Sequence, residues 1–360
     1  MTLADHAPTY NLCRFCLMCR HVCPVGRITK REANTPHGWA LLIASVDRGQ
    51  MQWDADSVAT LYECADCGLC HANCVTGQPL PLAIAAARAH VASLGLAPQS
   101  VSELDANLRR WGNPYGEVKA SKNGKAGAAL FVGAAAYHLR PQTLEAARKL
   151  LDGLGIAHTL VGVGRSSAYL PYTLGLRETA RALSQTTLDE ISASECKQII
   201  TLTAEDAHTF RNVHPDLDLK LPGAVEVVEL VSLLAENVDH LDLQSTDLTL
   251  TYHDPAHTPR LPERTKSARQ LLKRLSRQPL RELFWREGRA DPAGAVGGLE
   301  FTNPALAGRM TQARLAEAAS TGAEVLVSED AAALAHFISH LDGAPIKVEG
   351  LYELLVKQMS

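Results

Sequence analysis

The sequence predicts an α + α/β protein: a helical N-terminal domain built around metal clusters, followed by two pseudo-repeated α/β lobes. Three observations carry this. Eight of the nine cysteines stand in two copies of one spacing within residues 13–74. The stretch between and just after the two copies has helical periodicity with start and stop signals. Beyond a polar connector, short apolar runs alternate with helical patterns, and the alternation occurs twice.

The cysteine runs are Cys13-x2-Cys16-x2-Cys19-x3-Cys23-Pro24 and Cys64-x2-Cys67-x2-Cys70-x3-Cys74. Three thiolates spaced three residues apart wrap one cubane through a tight loop, while the fourth, set further along, ligates the other cluster in two-cluster ferredoxins. The spacing predicts two [4Fe-4S] clusters, one held by Cys13, Cys16, Cys19 and Cys74, the other by Cys64, Cys67, Cys70 and Cys23. Val75 stands where a proline would complete the second copy, a departure that removes no ligand. Zinc is the weaker reading, because a structural zinc site closes with two pairs of ligands and has no use for a third and fourth cysteine in one run. A disulfide framework is weaker still. A chain of 360 residues with 46% hydrophobic composition can bury its own core, and the N-terminus does not read as a signal peptide. The cysteines imply a reducing compartment.

Between the runs, Thr35-Pro36 opens a helix over residues 38–46 that closes at Gly49, with proline at its start and glycine past its end. A second helix is expected over 56–62, delivering the chain into Cys64. After Cys74, residues 81–94 read as an alanine-rich helix stopped by Gly95, and 102–110 as another. Helix pairs of this kind differ from the short hairpins of a small bacterial ferredoxin, so residues 1–116 are read as an α-helical ferredoxin domain. Residues 117–127 are polar and glycine-containing with no apolar period, and read as a linker. Strands are then expected at 128–133, 197–203, 248–252 and 324–328, each followed by a helix: 143–154, a helix toward Phe210, 264–275 and 330–340. That rhythm means α/β units on parallel sheets. A weak internal repeat pairs the segment from Phe131 to Arg140 with that from Thr251 to Arg260, and Lys197 to Asp206 with Ala323 to Asp330. It divides the remainder into lobes at 128–246 and 247–360, packed as a pseudo-twofold pair.

Thirty-five basic residues against thirty-nine acidic, with no dense Lys/Arg run, argue against nucleic acid as the main partner. The longest apolar stretches, residues 80–91 and 331–338, fall short of the roughly 18 residues a membrane span needs. No transmembrane segment is therefore expected. The chain reads as soluble and cytoplasmic, with peripheral attachment at the inner face of a membrane left open.

The two cysteine runs, the Trp111-Gly-Asn-Pro-Tyr-Gly-Glu117 segment, the Tyr252-His-Asp-Pro-Ala-His-Thr-Pro-Arg260 segment and the duplicated lobes together resemble the iron-sulfur subunit family of glycolate oxidase, lactate utilisation and heterodisulfide reductase type. In that family the lobes form a cysteine-rich CCG domain, with Cys-Cys-Gly and Cys-x2-Cys motifs and single cysteines at strand ends. The matching places here read Ala134, Ser166-Ser167-Ala168, Glu205 and His208 in the first lobe, and Ala256, Pro292-Ala293-Gly294, Glu329 and Ala332 in the second. The only cysteine in residues 75–360 is Cys196, so the C-terminal half cannot bind a thiolate cluster.

Glu205, Asp206, His208, His253, Asp254, His257, Glu329 and Asp330 are hard and imidazole ligands that could meet at a cleft between the lobes. The competing reading makes them helix-capping acids at strand-to-helix turns and surface histidines. His253 is expected to fix the His-Asp-Pro turn rather than bind a ligand. Gly162-Val-Gly164, placed after a strand, lacks the third glycine of a dinucleotide fingerprint. His21 and His71 read as solvated loop residues, and Cys196 as a buried, inert thiol.

The resemblance implies an electron-transfer iron-sulfur subunit of a flavin-dependent dehydrogenase complex. An FAD-dependent partner would oxidise a 2-hydroxy acid or similar substrate, and this chain would pass electrons singly to a quinone, a membrane acceptor or another acceptor. No residue of the chain is assigned a catalytic role. Two other classes stay open. One is a quinone or disulfide reductase with its own site in the C-terminal lobes, the disulfide case being set back by the missing cysteines. The other is an iron-sulfur regulatory or assembly scaffold, although no DNA-binding module is visible.

Overall fold

The computed structural model describes residues 3–119, 124–257, 261 and 264–359. Its N-terminal part is helical, and the helices start where local chemistry allows. Thr35 caps helix Pro36–Asp47 by accepting the Gly38 N–H, and Pro36 occupies the first turn, where its missing N–H costs nothing. Asp54 and Ser57 form a reciprocal capping box that opens helix Ala55–Tyr62. Helices Leu80–Ser93 and Gln99–Trp111 follow, the second ending at Gly112 in the left-handed region. These four helices lie where the sequence places them, with ends shifted by one to three residues.

Among the described residues seven strands form two separate parallel sheets. The first contains β1 (Ala128–Gly133), β2 (His158–Arg165), β3 (Gln198–Thr201) and β4 (Glu226–Glu229) in the order β2-β1-β3-β4. The second contains β5 (Leu250–Tyr252), β6 (Val325–Ser328) and β7 (Lys347–Gly350) in the order β5-β6-β7. Parallel strands need crossover connections, and helices supply them: Pro141–Gly153 between the neighbours β1 and β2, and Arg177–Ser194 from β2 past β1 to β3. β1 lies between β2 and β3, and its first five residues are buried. The internal repeat maps β1 and β3 onto β5 and β6, and β4 and β7 take the matching edge positions in the two sheets. β2 has no counterpart in the second sheet among the described residues.

Two apolar cores bind the parts together. One joins Trp39, Ile43, Leu61 and Ile84 of the N-terminal helices to Tyr169, Val213, Val296 and Met310. The other joins Leu130 and Ile200 of the first sheet to Leu250, Val327 and Tyr352 of the second.

Some expectations change. Gly162 and Gly164 do not follow a strand but lie inside β2. The register between β1 and β2 slips there, with Phe131 opposite Val161 and Gly133 opposite Arg165, so the glycines mark a bulge rather than a ligand loop. Helices Arg177–Ser194 and Pro304–Ser320 and strands β4 and β7 are additional to those expected. Of the linker, 120–123 lie outside the described residues, as do 258–260 of the His-Asp-Pro segment; 117–119 and 124–127 are neither helix nor strand. Among the described residues no helix is long and apolar enough to cross a membrane.

Candidate iron-sulfur centre

The two cysteine runs follow one backbone path. Each leaves a helix, makes a loop through the first two cysteines and enters a short helix that carries the third, Met18–Val22 with Cys19 in the first run and Leu69–Ala72 with Cys70 in the second. Within each loop two residues at matching places take positive φ: Phe15 (48°) and Leu17 (61°) in the first, Asp66 (45°) and Gly68 (84°) in the second. Left-handed turns at alternating residues point backbone N–H groups into the loop, an arrangement suited to sulfur and other anions. The Asp66 N–H already reaches Cys64 Sγ at 3.4 Å. The fourth cysteine of each run has its own donors. Cys23 caps helix Pro24–Thr29, its Sγ accepting the Gly26 N–H at 3.5 Å, and Cys74 Sγ accepts the Gln78 N–H at 3.3 Å.

The runs differ in depth. Cys16 is exposed and Cys13, Cys19 and Cys74 are half-buried, whereas Cys23, Cys64 and Cys67 are buried and Cys70 half-buried. Leu12, Phe15, Leu17, Met18 and Val75 stand exposed around the first group. Cys23, Cys64, Cys67 and Cys70 line a single cavity, with Trp39 and Pro81 on its wall.

Electrostatics group the thiols in the same way. Burial pushes the Cys23 thiol up, and Cys67 and Cys64 push it further against the pull of the Gly26 N–H. Burial raises Cys70 strongly, with Cys64, Cys67 and Cys23 adding to it and Cys19 of the other group contributing least. Cys19 rises to about 11 through burial, then through Cys13, Cys74 and Cys16. In Cys74, burial pushes the thiol up but the Thr76 hydroxyl and Gln78 N–H outweigh it, and the thiol lies below its ordinary value. Thiolates are the metal-binding form. Four that repel one another around a dry cavity need a cationic core between them, which an iron-sulfur cubane supplies. Among the described residues no three Cys, His, Asp or Glu side chains come together to hold a single ion; a cubane instead takes one thiolate at each of four separate irons.

The inner loop is fastened into the rest of the molecule. Arg88, fully buried, donates to the carbonyl oxygens of Cys64 (2.7 Å), Leu61 (3.0 Å) and Thr173 (3.0 Å). Asp66 accepts the Tyr169 hydroxyl at 2.5 Å and the Thr173 hydroxyl at 2.8 Å. Gly297 approaches so closely that a Cβ there would lie 2.5 Å from the Ala65 carbonyl oxygen. Sequence reasoning missed these supports; the one available signal was Arg88 itself, a lone charge in an alanine-rich helix.

The C-terminal candidates separate into three places. Glu205, Asp206 and Asp330 do meet, in a cavity of about 90 Å³ that Ala134, Ser166, Ser167, Ala256 and Ala332 also line. Glu300, absent from the expectations, completes it. Burial pushes Asp206 and Glu300 up to about 7, and burial together with Asp206, Asp330 and Glu300 drives Glu205 well up. Asp330 nevertheless caps helix Ala331–Ser339, accepting the Ala333 N–H, as the capping reading expects.

The histidines are not surface groups. His208, His253 and His257 are buried, the first and last stacked with ring centres 5.5 Å apart beside Tyr169. Ring contacts and hydrogen bonds hold them, His208 bonding Asn212 at 3.0 Å. The His253 backbone N–H extends the β5–β6 ladder by donating to Val327 O at 2.9 Å, its ring Nδ1 accepts from Arg314 Nε at 3.1 Å, and burial, reinforced by Arg314, keeps the ring neutral. Glu329 is taken up by Tyr252 and Arg264, and Asp254 by Arg269. His21 and His71 are exposed as expected but lie on the short helices Met18–Val22 and Leu69–Ala72 rather than in loops, and Cys196 is buried as expected.

Residues 12–78 match the 4Fe-4S dicluster domain family. With eight cysteines inside that span, the chain's cofactors are two [4Fe-4S] clusters. Among curated proteins the chain is 24% identical over 289 residues to one subunit of the dihydromethanophenazine:CoB--CoM heterodisulfide reductase of Methanosarcina acetivorans, covering 74% of this chain and 70% of the relative. It is 23% identical over 290 residues to the corresponding protein of Methanosarcina barkeri, with the same coverage. Among solved structures it resembles a hypothetical protein from Helicobacter pylori, with a TM-score of 0.60 and 13% identity over 91% of this chain and 68% of that one, a likeness of fold. The chain is an iron-sulfur electron-transfer protein distantly related to this heterodisulfide reductase component.

Proposed function

We propose that this chain is the electron-transfer subunit of a flavin-dependent dehydrogenase complex. An FAD-dependent partner oxidises a 2-hydroxy acid or a similar organic substrate, and the chain carries the electrons singly toward a quinone or another acceptor. The observation that carries the reading is the difference in depth between the two cysteine groups, one at the surface and one at the junction with the lobes. The same proposal assigns one cluster to Cys13, Cys16, Cys19 and Cys74 and the other to Cys64, Cys67, Cys70 and Cys23. The electrostatic neighbours of Cys19, Cys23 and Cys70 and the shared cavity of the second set support it. It assigns residues 1–116 to the cluster domain, 117–127 to a linker, and 128–246 and 247–360 to the lobes.

The clusters, when bound, store and release one electron each. The chain's own contribution is to hold the thiolates with N–H donors and exclude water from the inner set. Disulfide reduction, the activity named for the methanogen relatives, is disfavoured here because the lobes contain only Cys196, which is buried.

Anaerobic purification tests the reading. The protein should carry about eight irons and eight sulfides per chain, as two four-ligand cysteine sets require, and a flavoprotein should co-elute. Alone, the chain should oxidise neither lactate nor glycolate. Zinc in place of iron, or substrate oxidation by the isolated chain, would overturn it.

A further inference from the structure

A second cavity, of about 230 Å³, shares Pro24 as a wall residue with the cavity lined by Cys23. Its other wall includes Trp285, which packs against Cys67, Val22 and Leu69. Whatever occupies this cavity therefore sits one side chain away from the inner cysteine set.

The chemistry of the cavity is selective. Two cations line it, and each already has its carboxylate: Arg27 pairs with Asp291, and Arg314 with Glu317 at 2.7 Å. The charges balance, so an ion gains nothing by coming in. Two buried donors on the cavity wall have no partner, Arg27 Nε and Arg314 Nη2, and the second belongs to the more enclosed side chain. Arg314 is 2% exposed, and its Nε donates to His253 Nδ1 at 3.1 Å and its Nη1 to Glu317, but its Nη2 is buried without a partner. A buried guanidinium N–H left unpaired costs more than an ordinary missing bond, so the site calls for an oxygen acceptor. The remaining surface is apolar, with Ile28, Pro292 and Met310 beside Phe284 and Trp285. Arg27 lies 4.0 Å over the Trp285 ring, and Phe284, 76% exposed, meets Trp285 edge-on at 5.1 Å. The volume suits one ring rather than a drug-sized ligand.

We propose that this cavity binds the ring of a quinone, one carbonyl oxygen accepting from Arg314 Nη2, with exposed Phe284 offering an apolar footing for the tail. The inference rests on the electron-transfer reading and gives its acceptor a place on this chain. Conversion of a quinone to its quinol takes two electrons and two protons. The two clusters hold one electron each, and the protons come from water, with Asp291 and Glu317 as the acids on the cavity wall; burial pushes the Asp291 carboxyl up while Arg27 pulls it down.

Calorimetric titration of decylubiquinone into oxidised, cluster-loaded protein tests binding without turnover. The wild type should bind. Ala313→Phe, at an exposed helix position on the cavity wall, should weaken binding at least tenfold while iron content and thermal unfolding stay unchanged. Arg314→Lys, which keeps the charge but loses the planar fork, should weaken it as well. No binding by the wild type, or equal binding by Ala313→Phe, overturns the assignment. So does lactate binding with the same sensitivity to Ala313→Phe, which would make the site one for anions. If quinone binding fails while the protein holds its full iron and is reduced by dithionite, only this site falls. Absence of the clusters would instead sink the relay.

Discussion

The guanidinium of Arg88 donates to the carbonyl oxygen of Cys64 at 2.7 Å, so a helix beyond the cysteine runs holds the backbone of the first inner thiol. The same side chain serves Leu61 and Thr173, tying the loop to the lobe behind it.

Arg88→Met should leave three buried carbonyls without their donor. At about 1 kcal/mol or more for each, the loss is roughly 3 kcal/mol of stability. Iron should fall from about eight toward about four per chain as the inner set loses its geometry. Thermal unfolding and iron analysis on one preparation check both, and full iron at unchanged stability would contradict the role given to Arg88.

Ligand crossing has a spectroscopic consequence. Cys23→Ser and Cys67→Ser should remove the same component of the EPR spectrum of the reduced protein, and Cys74→Ser and Cys16→Ser the other. If Cys23→Ser instead matches Cys16→Ser, each run closes its own cluster.

Leu17 and Gly68 hold the same left-handed place in their loops. A side chain there costs about 1–2 kcal/mol that glycine avoids. Leu17→Gly should therefore leave stability unchanged or raise it by up to about 1 kcal/mol after the greater unfolded-state freedom of glycine is counted. Gly68→Ala should lower it by about 1–2 kcal/mol. Denaturant midpoints of the two variants, measured with clusters in place, should move in these directions.

The cavity between the lobes predicts a pH dependence. Burial raises Asp206 and Glu300 to about 7 in the folded chain, from ordinary values of 3.8 and 4.5. The folded state thus keeps protons that the unfolded chain releases. Their contribution is fully present below about pH 4 and is lost as the pH rises to about 7, each unit being worth about 1.4 kcal/mol. Asp206→Asn with Glu300→Gln should remove that slope, and its advantage over the wild type should grow between pH 4.5 and 7.5. Parallel urea midpoints for the two proteins across that range would count against it.

The parts that were legible in the sequence are those whose cause is local. The cysteine spacing states its chemistry, and strand β1 falls on residues 128–133 because an apolar run follows a polar connector. Helix Arg177–Ser194 escaped because Ser184, Thr186, Thr187 and Ser192 blur its apolar stripe. Strands β4 and β7 escaped because each is four residues long and half its positions are only partly buried. His208, His253 and His257 read as surface residues because polarity is visible in a sequence while the enclosure supplied by Tyr169, Phe337 and Arg314 is not. Arg88, Gly297 and Glu300 act across distances in the chain over which no periodicity carries information.

The unequal depth of the two cysteine groups makes the protein fragile on one side only. With Cys16 open to solvent and Cys23, Cys64 and Cys67 enclosed, dissolved oxygen and chelators meet the outer thiols directly and the inner ones only through the protein. A sample handled in air should shed its metal in two phases and linger as a half-loaded species of about four irons. Such a species keeps the set joined to the lobes while the contact with the outside is cut. Oxidative damage would thus silence the chain before it unfolds it, and any repair would need to reach only the outer loop.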